Sequence, residues 1–243
     1  MRDYQHFLFH TSHCNSNNIE LDIYESRHAL KVLRLIEGDL FQVTCGDGQI
    51  LICKLDSIKK ELAGATIVDR LTIPPVNPWI HCYIGIPDKD AFETIITDLT
   101  AMGIAQITPI ITEQCQKNWW EQKWDKHQER LQGKMIAAMK QSLYPRMPLI
   151  DYPCAIEKVI ENTTRQTFVA EWEGTPLNAI SGEIESQVNC FIGPPGGFSA
   201  KELGLFKSLK FNAVKIATTR LRTELAAVVL CSQILGKGVK CEV

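Results

Sequence analysis

Apolar and polar positions follow two different periods along this chain, and the period changes near residue 78. Residues 40–44 (LFQVT) and 50–55 (ILICKL) alternate at every second position on either side of a Gly-Asp-Gly turn. That is the pattern of a β-hairpin. The run "AGATIVDRL" predicts a further strand. Ahead of the hairpin, "SRHALKVLRLIEGD" has helical spacing and a stop near Gly38. Short strands with one helix predict a small β-barrel. The stretch "TIPPVNP" (72–78) then interrupts every regular pattern. It places a boundary between a first domain, 1–73, and a second, 74–243.

Beyond Pro78 strands and helices alternate. "WIHCYIGI" is a strand, and "DKDAFETIITDLTAMG" follows with Phe92, Ile95, Ile96, Leu99 and Met102 at helical spacing. "IAQITPIIT" is the next strand. Residues 118–143 predict a long helix carrying Trp120, Trp124, Leu131 and Met135 on one face. "TRQTFVAEW", "NCFIG" and 213–217 are further strands, and 223–236 is a closing helix. Strand–helix alternation predicts an α/β domain whose parallel sheet is covered on both faces.

Composition narrows the class. The chain has 243 residues, 45% hydrophobic and 22% charged, as in an ordinary soluble globular protein. No apolar run approaches the roughly eighteen residues a membrane helix needs. The start "MRDYQHFLFHTSHCN" has no apolar core of a signal peptide, so the expected location is the cytoplasm. A net charge of −2 excludes a uniformly basic nucleic-acid binder, and RNA contacts would have to come from local patches. Nine cysteines form no CxxC pair, and Cys53, Cys82, Cys190 and Cys231 sit in apolar runs, as buried thiols do. His10, His13 and Cys14 are close in sequence, but no second ligand cluster follows, so no metal is expected.

Three segments could carry chemistry. In "NCFIGPPGGFSAKELGLF" a strand meets a Gly/Pro loop and then a helix, the layout that α/β proteins use to hold a ligand. The loop at 193–197 has neither the P-loop nor the dinucleotide spacing and holds no cation. Its glycines suit close approach of a neutral heterocycle to backbone N–H and C=O groups, or simply a tight turn. "KIATTRLRTELAA" loses its apolar character at 217–219. Arg220 and Arg222 then precede a helix start, where Thr223 suits an N-cap and Glu224 suits the helix dipole. On the first predicted helix, Arg27, Lys31 and Arg34 fall at i, i+4 and i+7, opposite Ala29, Val32 and Ile36. Such a stripe suits a phosphate backbone or an ordinary solvated face.

Five segments in order resemble the RsmE family of the SPOUT superfamily. "RHALKVLRLIEGD" is similar to the family's H-x-x-x-V-L-R-x-x-x-G-D. "FETIITDLTAMGIAQITPIITEQC" resembles its helix–strand segment with the E-L-G-V-x-x-I-x-P core, and "AAMKQSLYPRMP" resembles A-x-E-Q-S-x-R-x-x-x-P. "IGPPGGFSAKEL" is similar to I-G-P-E-G-G-F-S-x-x-E, and "RLRTELAA" to I-L-R-T-E-T-A. The chain departs from these patterns at Lys140, Tyr144, Pro195, Ala217, Thr219 and Leu225.

The resemblance implies an N-terminal PUA-like small β-barrel that binds RNA, and a SPOUT-type α/β domain with a parallel sheet and a C-terminal trefoil knot. It implies an enzyme that uses S-adenosylmethionine (AdoMet) to methylate N3 of a uridine in small-subunit (16S) ribosomal RNA, in the assembled 30S particle, without a metal. AdoMet would be held by Ile192, Gly193, Gly196, Gly197, Phe198, Ile216, Ala217, Leu221 and Thr223. Arg222 and Glu224 would be catalytic, and Arg27, Lys31, Arg34 and Arg220 would touch RNA. A homodimer is implied, and Leu225, Val228, Val229 and Leu235 offer an apolar surface on the last helix. A non-catalytic RNA-binding relative, and a SPOUT enzyme with another RNA target, stay open at this point.

Overall fold

The computed structural model describes residues 7–12, 17–116, 119–121, 123–161 and 163–238. The chain forms two units, one of Met1–Pro75 with Ile136–Met147, the other of Val76–Met135 with Pro148–Val243.

The first unit is built on five strands: β1 (Leu8–His10), β2 (Asn18–Glu20), β3 (Leu40–Thr44), β4 (Gln49–Lys59) and β5 (Leu62–Thr72), in the order β1-β3-β4-β5-β2. The hairpin read from the alternation is β3 with β4, paired antiparallel. The inward-facing set Phe9, Phe41, Val43, Leu51 and Leu55 is buried and forms the core. Helix α1 (Ile23–Arg27) starts where the Asp22 carboxylate accepts from the backbone N–H groups of Tyr24 and Glu25.

The helix expected to run to Gly38 stops earlier. After Arg27 the chain makes one wide π-type turn over His28–Val32, and Arg34 then adopts a left-handed conformation, φ 56°. That change of turn shifts the side-chain phase. Val32 and Ile36, expected on the apolar face, are 67% and 66% exposed, whereas Ala29 is buried.

Lys140, one of the departures from the family pattern, has a partner in this unit. Its ammonium lies 2.5 Å from a carboxylate oxygen of Glu25, a side chain only 10% exposed. Cutting one partner from a buried pair strands the other charge. Lys140→Met is therefore expected to destabilise the protein by roughly 3 kcal/mol, read as a lower urea midpoint. Adding Glu25→Leu should recover most of that loss. An unchanged midpoint in the single variant would contradict the pairing.

The second unit is a parallel sheet of β6 (Trp79–Gly85), β7 (Gln106–Ile111), β8 (Leu149–Ile150), β9 (Cys154–Ala155), β10 (Gln166–Pro176), β11 (Gln187–Ile192) and β12 (Asn212–Lys215). The order is β12-β10-β11-β6-β7-β8, with β9 also paired to β7. Its helices are α2 (Lys89–Ala101), α4 (Ile156–Ile160), α5 (Ala200–Ser208) and α6 (Thr223–Gly238), and α3 (Trp124–Ser142) begins here. Alternation sorts the two faces. Tyr83, Phe191 and Val169 pack with Ile156 and Ile160 of α4 and Phe206 of α5. On the other face Cys82 meets Cys231 of α6, sulfur to sulfur at 3.1 Å.

Cys53, Cys82, Cys190 and Cys231 are buried free thiols. Cys45 is disulfide-bonded, so not every cysteine is a free thiol. Two other expectations shift. Helix α3 starts at Trp124, not at 118, and Trp120 lies before it with its indole N–H donating to the Gln116 carbonyl at 2.7 Å. Residue 118 itself lies outside the described residues. Strand β12 spans Asn212–Lys215, so Ile216 and Ala217 already belong to the turn that follows.

Chain order and sheet order disagree where it matters for a site. Strand β12 follows β11 in sequence but lies beyond β10 at the sheet edge. From that edge α6 returns to pack on α2, β6 and β11. The loop after β11 and the turn after β12 are thereby brought together at the carboxyl ends of the strands, where ligands of open α/β sheets bind.

Candidate active site

The apolar run of β11 ends at Ile192, and the Gly/Pro segment turns at once. Gly197 donates its N–H to the Pro194 carbonyl at 2.7 Å and sits at φ +80°, a conformation that favours glycine. Ser199 then starts α5 with a capping box: its hydroxyl accepts from the Glu202 N–H, and the Glu202 carboxylate accepts from the Ser199 N–H at 2.7 Å. A second Glu202 oxygen accepts from the Glu113 N–H at 2.9 Å, pinning the loop's far end to the chain beyond β7.

On the other side the turn after β12 runs into α6. Thr223 is its first residue, is buried, and donates its hydroxyl to the Gly193 carbonyl at 3.2 Å. This bond ties the turn to the glycine loop, a different job from the N-cap that the sequence suggests.

Between loop and turn lies a cavity. Of the residues implied to hold a cofactor, Ile192, Gly193, Gly197, Phe198, Ile216, Ala217, Leu221 and Thr223 line it, and Gly196 does not. A Cβ added at Gly196 would run into the Gln114 amide oxygen, 2.1 Å away, whereas one at Gly197 would meet no atom within 4 Å. Gly197 therefore bares its backbone to open space. Arg220 also lines the cavity, as do three of the departures from the family pattern, Pro195, Ala217 and Thr219. Leu225 is 49% exposed and does not.

Arg222 and Glu224 are not among the lining residues. The Arg222 side chain is 88% exposed, and its guanidinium stands 3.9 Å from the Glu224 carboxylate. Both lie where the turn enters α6, beside the lining residues Leu221 and Thr223. Pro194, inside the loop singled out from the sequence, lines the cavity as well, and Ala170, Glu171, Trp172, Lys215 and Ala226 line it and escaped the sequence reading. Only Gly174, a glycine inside a strand pattern, hinted at irregular backbone near Trp172.

The basic stripe of the first unit is not continuous. Lys31 pairs with Glu61 at 2.7 Å and Arg27 approaches the same carboxylate at 3.9 Å. The hydrogen bond from Lys31 holds the Glu61 carboxyl below its usual range. Arg34 lies past the helical segment, so the i+7 relation does not place it with the other two. His13 and Cys14 lie outside the described residues, and no metal-binding cluster occurs among those described.

A second polar cluster joins the amino-terminal halves of β6 and β7 to Asp151, just past β8. The His81 ring nitrogen lies 2.6 Å from the Thr108 hydroxyl, and Asp151 accepts from Thr108 and, at 2.7 Å, from Gln106. Burial pushes the His81 imidazole below its usual value. Asp151 is raised by burial but held below the carboxylate range by hydrogen bonds from His81, Thr108 and Gln106. The cluster's hydrogen bonds are largely internal, and it is separate from the cavity at the carboxyl ends.

A crossover strand at the sheet edge, a glycine loop and a helix returning over them characterise a known class. Residues 75–235 match the RNA methyltransferase domain, and the chain belongs to that family. Within it the chain is similar to the Ribosomal RNA small subunit methyltransferase E of Rickettsia conorii, at 26% identity over 98% of both chains. The protein of that name from Aquifex aeolicus is 26% identical over 94% of this chain and 99% of its own. Among solved structures, a probable rRNA-methyltransferase from Porphyromonas gingivalis superposes with a TM-score of 0.84 at 25% identity, covering 96% of this chain and 98% of that one. A Ribosomal RNA small subunit methyltransferase E from Neisseria gonorrhoeae, bound to S-adenosyl methionine, gives 0.81 at 21% identity, covering 95% and 97%. The RsmE resemblance and the mixed α/β class read from the sequence are borne out.

Proposed function

We propose that this protein transfers the methyl group of AdoMet to N3 of a uridine in 16S ribosomal RNA. The observation that carries the proposal is the cavity between the glycine loop and the turn after β12, where bare glycine backbone and apolar side chains stand beside Glu171, Lys215 and Arg220. It suits a neutral heterocycle read by N–H and C=O groups, and Gly197 leaves room where any side chain would fill the cradle. Relatives named as small-subunit ribosomal RNA methyltransferases support ribosomal RNA as the substrate.

When bound, AdoMet supplies an electrophilic methyl group on a sulfonium. The protein's own residues must hold the target base in line, exclude water and stabilise the charge left as the N3 proton departs. Arg222, largely in solvent where the turn enters α6, is the cation assigned to that charge, beside Arg220 and Lys215 of the cavity lining. Glu224 orients Arg222 or accepts the proton. Saturable AdoMet binding in calorimetry tests the cofactor assignment, and its absence from the folded protein would overturn it.

The first domain, 1–73, is assigned to RNA and the second, 74–243, to transfer, with the returning α6 as the closing pass of a trefoil knot. Arg27, Lys31, Arg34 and Arg220 are the phosphate contacts. Neutralising Arg27, Lys31 and Arg34 together is expected to flatten the salt dependence of RNA binding by roughly one log–log unit per lost contact, leaving AdoMet affinity unmoved. An unaltered slope would make these residues an ordinary solvated face.

Helix α6 turns Ala227, Leu230, Cys231 and Ile234 inward and leaves Leu225, Val228, Val229 and Leu235 at least partly exposed. That second face is the proposed homodimer contact, and light scattering of a monomer at micromolar concentration would contradict it. No helix among the described residues is long and apolar enough to cross a membrane. The proposed location is the cytoplasm.

A further inference from the structure

At the rim of the cavity stands an exposed aromatic side chain that the family resemblance does not mark. Trp172 lines the cavity and is 47% exposed, while Trp120 and Trp124 are buried. The backbone departs from regular pairing to put it there. Strand β10 pairs with β12 up to Ala170, opposite Val214, and the next paired residue, Thr175, lies opposite Val214 again. Residues 171–174 are thus an excursion from the ladder. Irregularities of this kind break the in-and-out alternation, re-aim side chains and gather beside active sites. Gly174 makes the excursion feasible, since a Cβ there would lie 2.6 Å from the Val214 nitrogen and 2.7 Å from the Ala213 carbonyl carbon.

Lys215 then fixes the indole. Its ammonium sits 4.5 Å from the Trp172 ring centroid, a cation–π contact, and Lys215 lines the same cavity. One indole face is taken by a cation, so a ligand that stacks on this ring would use the opposite face. A second cation would compete with Lys215 for the same ring quadrupole, which disfavours a sulfonium there. A carboxylate gains nothing from the negative face of a ring. A flat heteroaromatic gains the most, because every base offers a π-face. We infer that Trp172 is the stacking platform for the adenine ring of AdoMet, an inference that rests on the cofactor reading above.

The test titrates wild type, Trp172→Ala and Trp172→Phe with AdoMet and, separately, with adenosine in calorimetry, after circular dichroism confirms folding. Failure of the wild type to bind AdoMet removes the cofactor reading and the inference with it. With wild-type binding in hand, Trp172→Ala should weaken AdoMet and adenosine alike by about tenfold, and Trp172→Phe should stay within about threefold of wild type. The cofactor reading survives but the platform falls if Trp172→Ala leaves AdoMet affinity unchanged, including the case where RNA affinity drops instead. A loss confined to AdoMet and sparing adenosine also overturns it, placing Trp172 at the methionine end. Equal losses in the Phe and Ala variants overturn it too, since a ring would then not be what matters.

Discussion

Gly197→Val is expected to lower AdoMet affinity at least about a hundredfold, equivalent to about 2.8 kcal/mol. Two effects combine. A β-branched residue at φ +80° stores roughly 1–3 kcal/mol of backbone strain. Its side chain would also project into open space beside the loop, the space a ligand needs to approach the backbone. Gly196 provides the internal control. A side chain there meets Gln114, whose flexible amide can swing away, so Gly196→Ala should cost far less. Calorimetry on both folded variants checks the contrast. Wild-type affinity in Gly197→Val would remove the glycine loop from the site.

Arg222→Ala should cut methyl transfer by at least about a hundredfold, the range for a lost stabiliser of developing negative charge. AdoMet affinity should be unmoved, since the side chain is outside the cavity lining and largely in solvent. That exposure is what makes Arg222 available to a substrate arriving from outside. Single-turnover transfer separates chemistry from binding. Near-wild-type transfer would remove Arg222 from catalysis.

Regular periodicity made most of the fold legible. The hairpin of β3 and β4, the helix over Lys89–Ala101 and the strand–loop–helix around 193–197 follow from spacing alone. What was hidden depended on tertiary partners. The π-type turn after Arg27 looks helical in sequence, yet it rotates Val32 and Ile36 into solvent. Lys140 stood in the sequence only as a departure from the family pattern, since its partner Glu25 lies over a hundred residues upstream. Trp172 read as one more strand residue because its excursion from the ladder is set by β12, some forty residues downstream. Thr223 read as a cap because its partner, the Gly193 carbonyl, lies across the cavity mouth.

The central claim is transfer to N3 of a uridine in 16S RNA. The direct measurement incubates the protein with labelled AdoMet and small ribosomal subunits that lack the modification, then identifies the labelled nucleoside by mass spectrometry. The account predicts label in 16S RNA, recovered as N3-methyluridine. Label in a different nucleoside, or AdoMet binding with no transfer at all, would contradict it.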